Sequence, residues 1–418
     1  MTEPFHEIFR KGEKRPSKEP AGGLSSGSKD AKIRVDTVAD ERAFLALRPV
    51  WDQLVQEAKI DHPFLSHDWV RVWWRCFGAG HKLQILVVKA GDRPIAIAPL
   101  MVSVDRMYGF RMRKIGFIAN VHTPRFDIIV ADRPKDAYRA IWERLKEQAD
   151  AWDAVELTQV PSDSQTLKEV PILASRDNFL TGIWHSEDCP YLDFDQGWNA
   201  LLRRLSHNHR AQMGKRLRRL RRDGQVRLEV LSNHDDLQRQ VTQGFEIEAA
   251  AWKAKSGTAI LCRPDLVCFY REIAEEAARS GLLRLVFLSV GGKRIAFAYA
   301  LFYKNKIYVL KSGYDPDYSA YSPYLLLCHL LFQECCERGV AEYEFLGASD
   351  PWKLRWADKT RSHYWLYVMP RQLRTSLIHA VKFGALPTLR RGRLYSLLRY
   401  GRLHVGLVFL SLLPIAAA

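Results

Sequence analysis

Two stretches 200 positions apart say nearly the same thing, and this repeat constrains the fold more than any other feature of the chain. Residues 85–103 read ILVVKAGDRPIAIAPLMVS, and residues 285–303 read LVFLSVGGKRIAFAYALFY. Gly91 answers Gly291, Arg93 answers Lys293, and Ile95, Ala96 and Ala98 answer Ile295, Ala296 and Ala298. Each copy is an aliphatic run, a glycine turn and a second run with small residues at alternate places, which predicts a β-hairpin. A helix-like segment precedes each hairpin (69–77 and 266–279), and strand, helix and strand follow. The chain therefore reads as two copies of one α/β unit with a groove between them, and 418 residues suit two such domains.

Local signals divide the chain further. Residues 1–32 are polar and rich in Gly, Ser, Pro and Lys, the composition of a disordered segment. A first domain is expected over 33–186 and a second over 187–370, followed by a basic amphipathic tail, 371–418. Ser66 is placed to cap a helix through Trp69, Trp73 and Trp74; Pro323 suits a first helical position, and Gly339 stops that helix. Seven cysteines, with no C-x-x-C and no Cys/His ligand spacing, predict neither a metal site nor a disulfide framework. With no apolar signal segment at the N-terminus, these signs point to the cytoplasm.

Charge is unevenly spread. The net charge is +16, residues 203–222 hold nine Lys/Arg and no carboxylate, and no acidic residue follows Asp358. Such fields attract phosphates, nucleic acid, anionic lipid or acidic polysaccharide alike. The run at 203–222 reads either as a solvated helix face or as an anion-binding surface. The tail either packs on the second domain or lies on an anionic inner leaflet; its final apolar run, 405–418, falls short of the roughly 20 residues a spanning helix needs.

The chemistry-bearing pattern is strand, polar loop, helix, strand over 306–347. The loop ends at Ser322-Pro323, where a helix start would offer unpaired N–H groups and partial positive charge to a phosphate. Glu248 and Trp252 share a helix face with Lys253 beside it, which suits either a desolvated general base or an ordinary amphipathic helix. Tyr314 and Tyr318 stand where a phenol would meet a leaving group, and Asp315 either caps the turn there or contacts substrate. Glu344 faces the groove or the core, and His122, Asn120 and Asp127 are candidates for the opposite wall.

This order of elements resembles the GNAT acyltransferase fold. Glu248-Ala-Ala-Ala-Trp252-Lys253 with Ser256-Gly257-Thr258-Ala259, then Gly313-Tyr-Asp315 through Ser322-Pro323, then Glu344-Phe-Leu-Gly347 through Asp350-Pro-Trp352-Lys353-Leu-Arg-Trp356, resemble the CelD-like acetyltransferases associated with bacterial cellulose and exopolysaccharide synthesis. The resemblance covers about residues 35–370 and is strongest over 200–360. It implies an α/β (α+β) chain of two tandem GNAT-like domains, each a mixed, mostly antiparallel sheet flanked by helices, as in the Fem-type transferases. It also implies an acyltransferase using acetyl-CoA or another acyl-CoA and needing no metal, its acceptor a small molecule or a polysaccharide-related group. Under it Glu248, Tyr314 and Glu344 become catalytic candidates. Lys311, Ser319, Ser322, Pro323 and Tyr324 become cofactor contacts, and Trp252, Lys253, Asp315, Asp350, Trp352 and Lys353 acceptor contacts. One departure stands: Ser322-Pro323-Tyr324 occupies the place of a glycine-rich phosphate loop. The rival readings are a Fem-like enzyme fed by aminoacyl-tRNA, with the basic helix as its tRNA contact, and a silent scaffold in a polysaccharide synthase complex at the inner face of the membrane.

Overall fold

The computed structural model describes residues 31–232, 236–250 and 257–387. The first half runs β1 (Ile33–Val38), α1 (Glu41–Ala46), α2 (Arg48–Glu57), α3 (His67–Phe77), β2 (Lys82–Leu83), β3 (Ile85–Ala90), β4 (Arg93–Ala98), β5 (Leu100–Met107), β6 (Phe110–Phe117), β7 (Ile129–Val130), α4 (Pro134–Glu147), β8 (Ala154–Pro161), α5 (Thr166–Arg176) and β9 (Leu180–Asp193). The second runs α6 (Gly197–Arg204), α7 (His207–Leu220), β10 (Val226–Leu231), α8 (Leu237–Ala250), α9 (Pro264–Arg279), β11 (Leu283–Val290), β12 (Lys293–Tyr303), β13 (Lys306–Tyr314), α10 (Pro323–Glu337), β14 (Glu342–Glu344), β15 (Lys359–Met369) and α11 (Leu373–His379). The predicted N-terminal segment and most of the tail lie outside the described residues.

Both predicted hairpins form, and their registers coincide. In β3–β4, Leu86 faces Ala98 and Val88 faces Ala96, with a slip between Val88 and Lys89. In β11–β12, Val286 faces Ala298 and Leu288 faces Ala296, with a slip between Leu288 and Ser289. Gly91 and Gly291 both turn with φ near +60°, which costs glycine nothing. The copies part at Pro99. β12 runs on to Tyr303, whereas its counterpart breaks there and the continuation, β5, joins a different sheet.

A four-stranded sheet has the order β1-β3-β4-β7, and an eleven-stranded sheet the order β10-β11-β12-β13-β14-β9-β15-β8-β6-β5-β2. Its ladders are antiparallel except β6–β8 and β13–β14. The large sheet crosses between the halves, because β15, the last strand, inserts between β8 and β9 of the first half. Its two faces are both covered. Leu285 and Phe287 enter one core with Val241 and Phe245 of α8 and Phe269 of α9, while Val286 and Leu288 enter another with Met213 of α7 and Leu326 of α10. Gly244 lets α8 settle onto the Phe297 ring, which a Cβ would meet at 2.3 Å. Each such buried phenylalanine contributes about 1.5–3 kcal/mol.

Local signals explain the helix starts. Ser66 accepts from Trp69 N at 3.3 Å, and Pro323 occupies the first position of α10. The basic stretch is two helices, because Ser206 caps a fresh start after α6. The beginning of the tail is packed: Ile378 joins a core with Tyr367 and Met369, and Phe383 lies against Gly182. Cysteine corrects the sequence expectation. Cys76 of α3 and Cys268 of α9 form a disulfide across the halves, and the other five cysteines are free. No spacing rule finds a bridge between residues 192 apart. Among the described residues no helix is long and apolar enough to cross a membrane.

Candidate active site

β13 and β14 run side by side for three residues only, Lys306–Glu342, Ile307–Tyr343 and Tyr308–Glu344. Beyond them β13 continues to Tyr314, while the other strand turns away through Leu346 and Gly347, both at positive φ. On the opposite edge Tyr299 faces Lys311 and Ala300 faces Val309, so Leu310 is an extra residue. A bulge of this kind twists a strand and re-aims its backbone. The parallel pair thus opens into a wedge at 309–313, with Leu310 at its mouth.

The loop after β13 leads to the start of α10. Asp315 accepts from Asp317 N at 3.0 Å and pairs with Lys293 at 2.8 Å, so it caps the 3-10 turn Pro316–Tyr321. Ser319 closes that turn by accepting from Ser322 N at 2.9 Å. Ser322 adopts φ +51°, a conformation usually given to glycine, and lends α10 no side-chain cap. The first turn carries no acidic residue. Its free N–H groups, including that of Tyr324, and its positive dipole end therefore face the loop without an internal counter-charge.

The facing wall is α8. Glu248 is 1 % exposed and its Oε2 accepts from Ile260 N at 3.1 Å. Gly313 lets β13 come close to α8, since a Cβ there would lie 2.4 Å from Glu248 Cα. Helix and wedge strand touch backbone to backbone, and the carboxylate is fixed beside the opening. Trp252 and Lys253 lie outside the described residues.

The first half closes the groove. The Tyr270 hydroxyl lies 3.4 Å from His122 Nδ1, Phe77 stacks on the His122 ring, and Lys311 Nζ sits 5.4 Å from the Tyr270 ring centre. Burial, aided by the charges of Lys311 and Arg263, pushes the His122 imidazole down to about 3, so it is neutral at physiological pH. Burial raises the Tyr270 phenol, and the nearby Glu248 charge adds to it. Glu248, Lys311 and His122, named from three distant parts of the sequence, thus meet in one cluster. Tyr270 was missed because its spacing with Leu266 and Ile273 reads as the core stripe of α9. Tyr314 ends β13, half-buried, opposite Ala296.

Other candidates have structural employment. Glu344 is fully buried and pairs with Arg125 at 3.3 Å and Arg361 at 2.7 Å. Burial raises its carboxyl, against the pull of both guanidiniums. It faces the first half in an ion network that also holds Glu342, Lys306 and Asp61. Lys353 bonds Leu346 O at 3.0 Å, Ala348 O at 2.8 Å and the Asp350 carboxylate at 3.0 Å, so Lys353 and Asp350 staple their own loop. Trp352 packs edge-on against Tyr324 and Phe345. Asp127 is buried with Thr166 and pushed up to about 6 by desolvation, within the first half.

Comparison with known proteins bears on this region. Residues 207–354 match the acetyltransferase (GNAT) domain family, a span that holds the wedge, α8 and α10. No curated protein matches the chain. Among solved structures, FemX is similar at 14% identity over 79% of this chain and 98% of its own, with a TM-score of 0.51. A tandem GNAT protein from the clavulanic acid biosynthesis pathway (13% identity, 80% and 98% covered, TM-score 0.43) and L-PGS from Bacillus licheniformis (11%, 82% and 96%, 0.47) are also similar. The FemX likeness extends to the fold of both halves. Within the second half, residues 207–354 match the acetyltransferase (GNAT) domain family, and that match supports an acyltransferase.

Proposed function

We propose that the chain transfers an acyl group from acyl-CoA to an amine or hydroxyl of a cell-envelope or exopolysaccharide-related acceptor, in the cytoplasm. The supporting observation is the wedge between β13 and β14, opening at a bulge beside a helix start that has no acidic residue of its own. The acceptor class rests on the CelD-like motifs alone.

Residues present suit such a donor. The start of α10, at Ser322 to Tyr324, would hold the pyrophosphate, and the wedge at 309–313 would take the extended arm. The donor supplies a thioester, already activated for attack. Glu248 takes the proton from the acceptor nitrogen or oxygen as that atom bonds to the acyl carbon. The Leu310 backbone N–H, left out of the ladder by the bulge, would donate to the developing oxyanion. The Tyr314 hydroxyl gives a proton to the departing sulfur, so charge is balanced when the carbon–sulfur bond breaks. Neutral His122 with Tyr270 orients the acceptor from the first half.

A ligand that binds only the folded state raises the melting temperature by mass action. Acetyl-CoA is expected to do so, and Ser322→Asp is expected to remove the shift while leaving the unliganded melt unchanged, because a carboxylate would compete for the helix start. An undiminished shift in that variant places the pyrophosphate elsewhere. Retention of transfer RNA in place of CoA would change the donor to an aminoacyl-tRNA.

A further inference from the structure

The two faces of the large sheet differ in how their charges are settled. On the face with α8 and α9, several cations are matched: Arg71 and Arg279 with Glu276, and Arg75 with Glu272. The opposite face carries α6, α7, α10 and α11. There α7 is anchored by Met213 and Leu220, and the cations fill the rest of its circumference. Among the described residues Arg210, Lys215, Arg218, Arg221 and Arg222 are exposed and have no carboxylate within 4.0 Å. Like charges this dense repel unless an anion lies near.

The same face also exposes leucine. Leu373 is 91% exposed and Leu377 54%, one turn apart on α11, with Arg371 beside them. Leu354 is 46% exposed in the turn that packs through Trp356 against α7, next to exposed Arg355. Cations and projecting leucines on one layer match an anionic bilayer, where arginine meets headgroups and leucine enters the acyl region. A single-stranded nucleic acid would call for aromatic platforms in place of leucines.

We propose that the layer formed by α7, the 351–356 turn and α11 is a peripheral docking face for anionic lipid. These elements, rather than residues 388–418, carry the main contact. This inference is independent of the acyl-transfer reading, because it concerns a surface outside the wedge and is read without turnover.

The full chain is mixed with vesicles of phosphatidylcholine, with or without phosphatidylglycerol, and sedimented. Binding is expected only with phosphatidylglycerol and is expected to fall as salt rises. The variant Arg210→Glu/Arg218→Glu/Arg222→Glu should lose at least about tenfold in affinity, since each cation near an anionic surface contributes separately. Leu373→Asp/Leu377→Asp should weaken binding several-fold at every salt concentration. Arg390→Gln/Arg391→Gln/Arg393→Gln, within 388–418, should change it less than either. Should the charge-reversed chain fail to fold, glutamine at the same three positions reads the same loss. Wild-type sedimentation by both face variants, loss in the 388–418 variant alone, or binding of transfer RNA without binding of vesicles would each overturn the proposal.

Discussion

The two halves build the same helix start and leave it in opposite electrical states. α4 begins at Pro134 after a left-handed Arg133, and α10 begins at Pro323 after a left-handed Ser322; neither has a side-chain cap. In the first half Asp136 sits in the opening turn and pairs with Arg133 at 2.7 Å, so the positive end of the helix is answered internally. In the second half no acid occupies that turn. The strand pairs diverge in parallel fashion. β6 and β8 also share three parallel residue pairs, but β6 ends at Phe117, and Phe126 then bonds its N–H to Gln159 O beyond β8's pairing. The first wedge is filled by its own chain, while β13 runs on for six residues past its pairing. Duplication supplied two scaffolds, and the local counter-charge and plug decide which one can accept a ligand.

The strongest way to break this contrast is at Glu248. Glu248→Gln keeps an oxygen for the Ile260 N–H, so folding and CoA binding should persist while turnover falls by roughly 10²–10⁴-fold. Full activity would remove Glu248 from the chemistry. A sharper test moves the first half's charge into the second: Leu325 stands two residues after Pro323 as Asp136 stands two after Pro134. Leu325→Asp should weaken CoA binding by about tenfold or more by like-charge repulsion, relative to Leu325→Asn, and Asp136→Asn should leave it unchanged. Calorimetric titration with CoA separates these outcomes.

Acid should act where the halves meet. His122 and His363 are both held near 3 in the folded chain, by burial and then by neighbouring cations, against about 6.5 when unfolded. The neutral ring is the folded form, so their contribution is complete above about pH 6.5 and is lost progressively as pH falls toward 3. Melting temperature should therefore drop over that range, and His122→Gln/His363→Gln should flatten the drop. The smallest effect compares the hairpins. Gly91→Ala and Gly291→Ala each force alanine to positive φ and should cost about 1 kcal/mol in urea unfolding, equally if the turns are equivalent. A difference well beyond that would trace to the second turn residue, where Gly292 has positive φ and Asp92 does not.

What the residues announced in advance was local. Alternation with a glycine turn predicts each hairpin, a hydroxyl or proline at a helix start predicts Ser66 and Pro323, and alanines facing leucine or valine recur in one register twice. Pairings that join residues far apart leave no such mark. Nothing near Glu344 signals Arg125, and nothing near Lys353 says that its ammonium will be spent on three oxygens of its own loop. Most of the cluster was legible: Glu248 comes from a motif, and Lys311 and His122 were named as contacts, whereas Tyr270 hides in a helix stripe whose apolar spacing is satisfied without its hydroxyl.

The position of β15 has a consequence for synthesis. β8 and β9, complete by residue 193, are held apart in the finished sheet by a strand that ends at Met369. As the chain emerges from a ribosome, both must wait for some 170 further residues while presenting open edges, which invite pairing with any strand nearby. The first half therefore cannot finish alone, and a nascent chain stalled before residue 359 should be a client for chaperones rather than a folded domain.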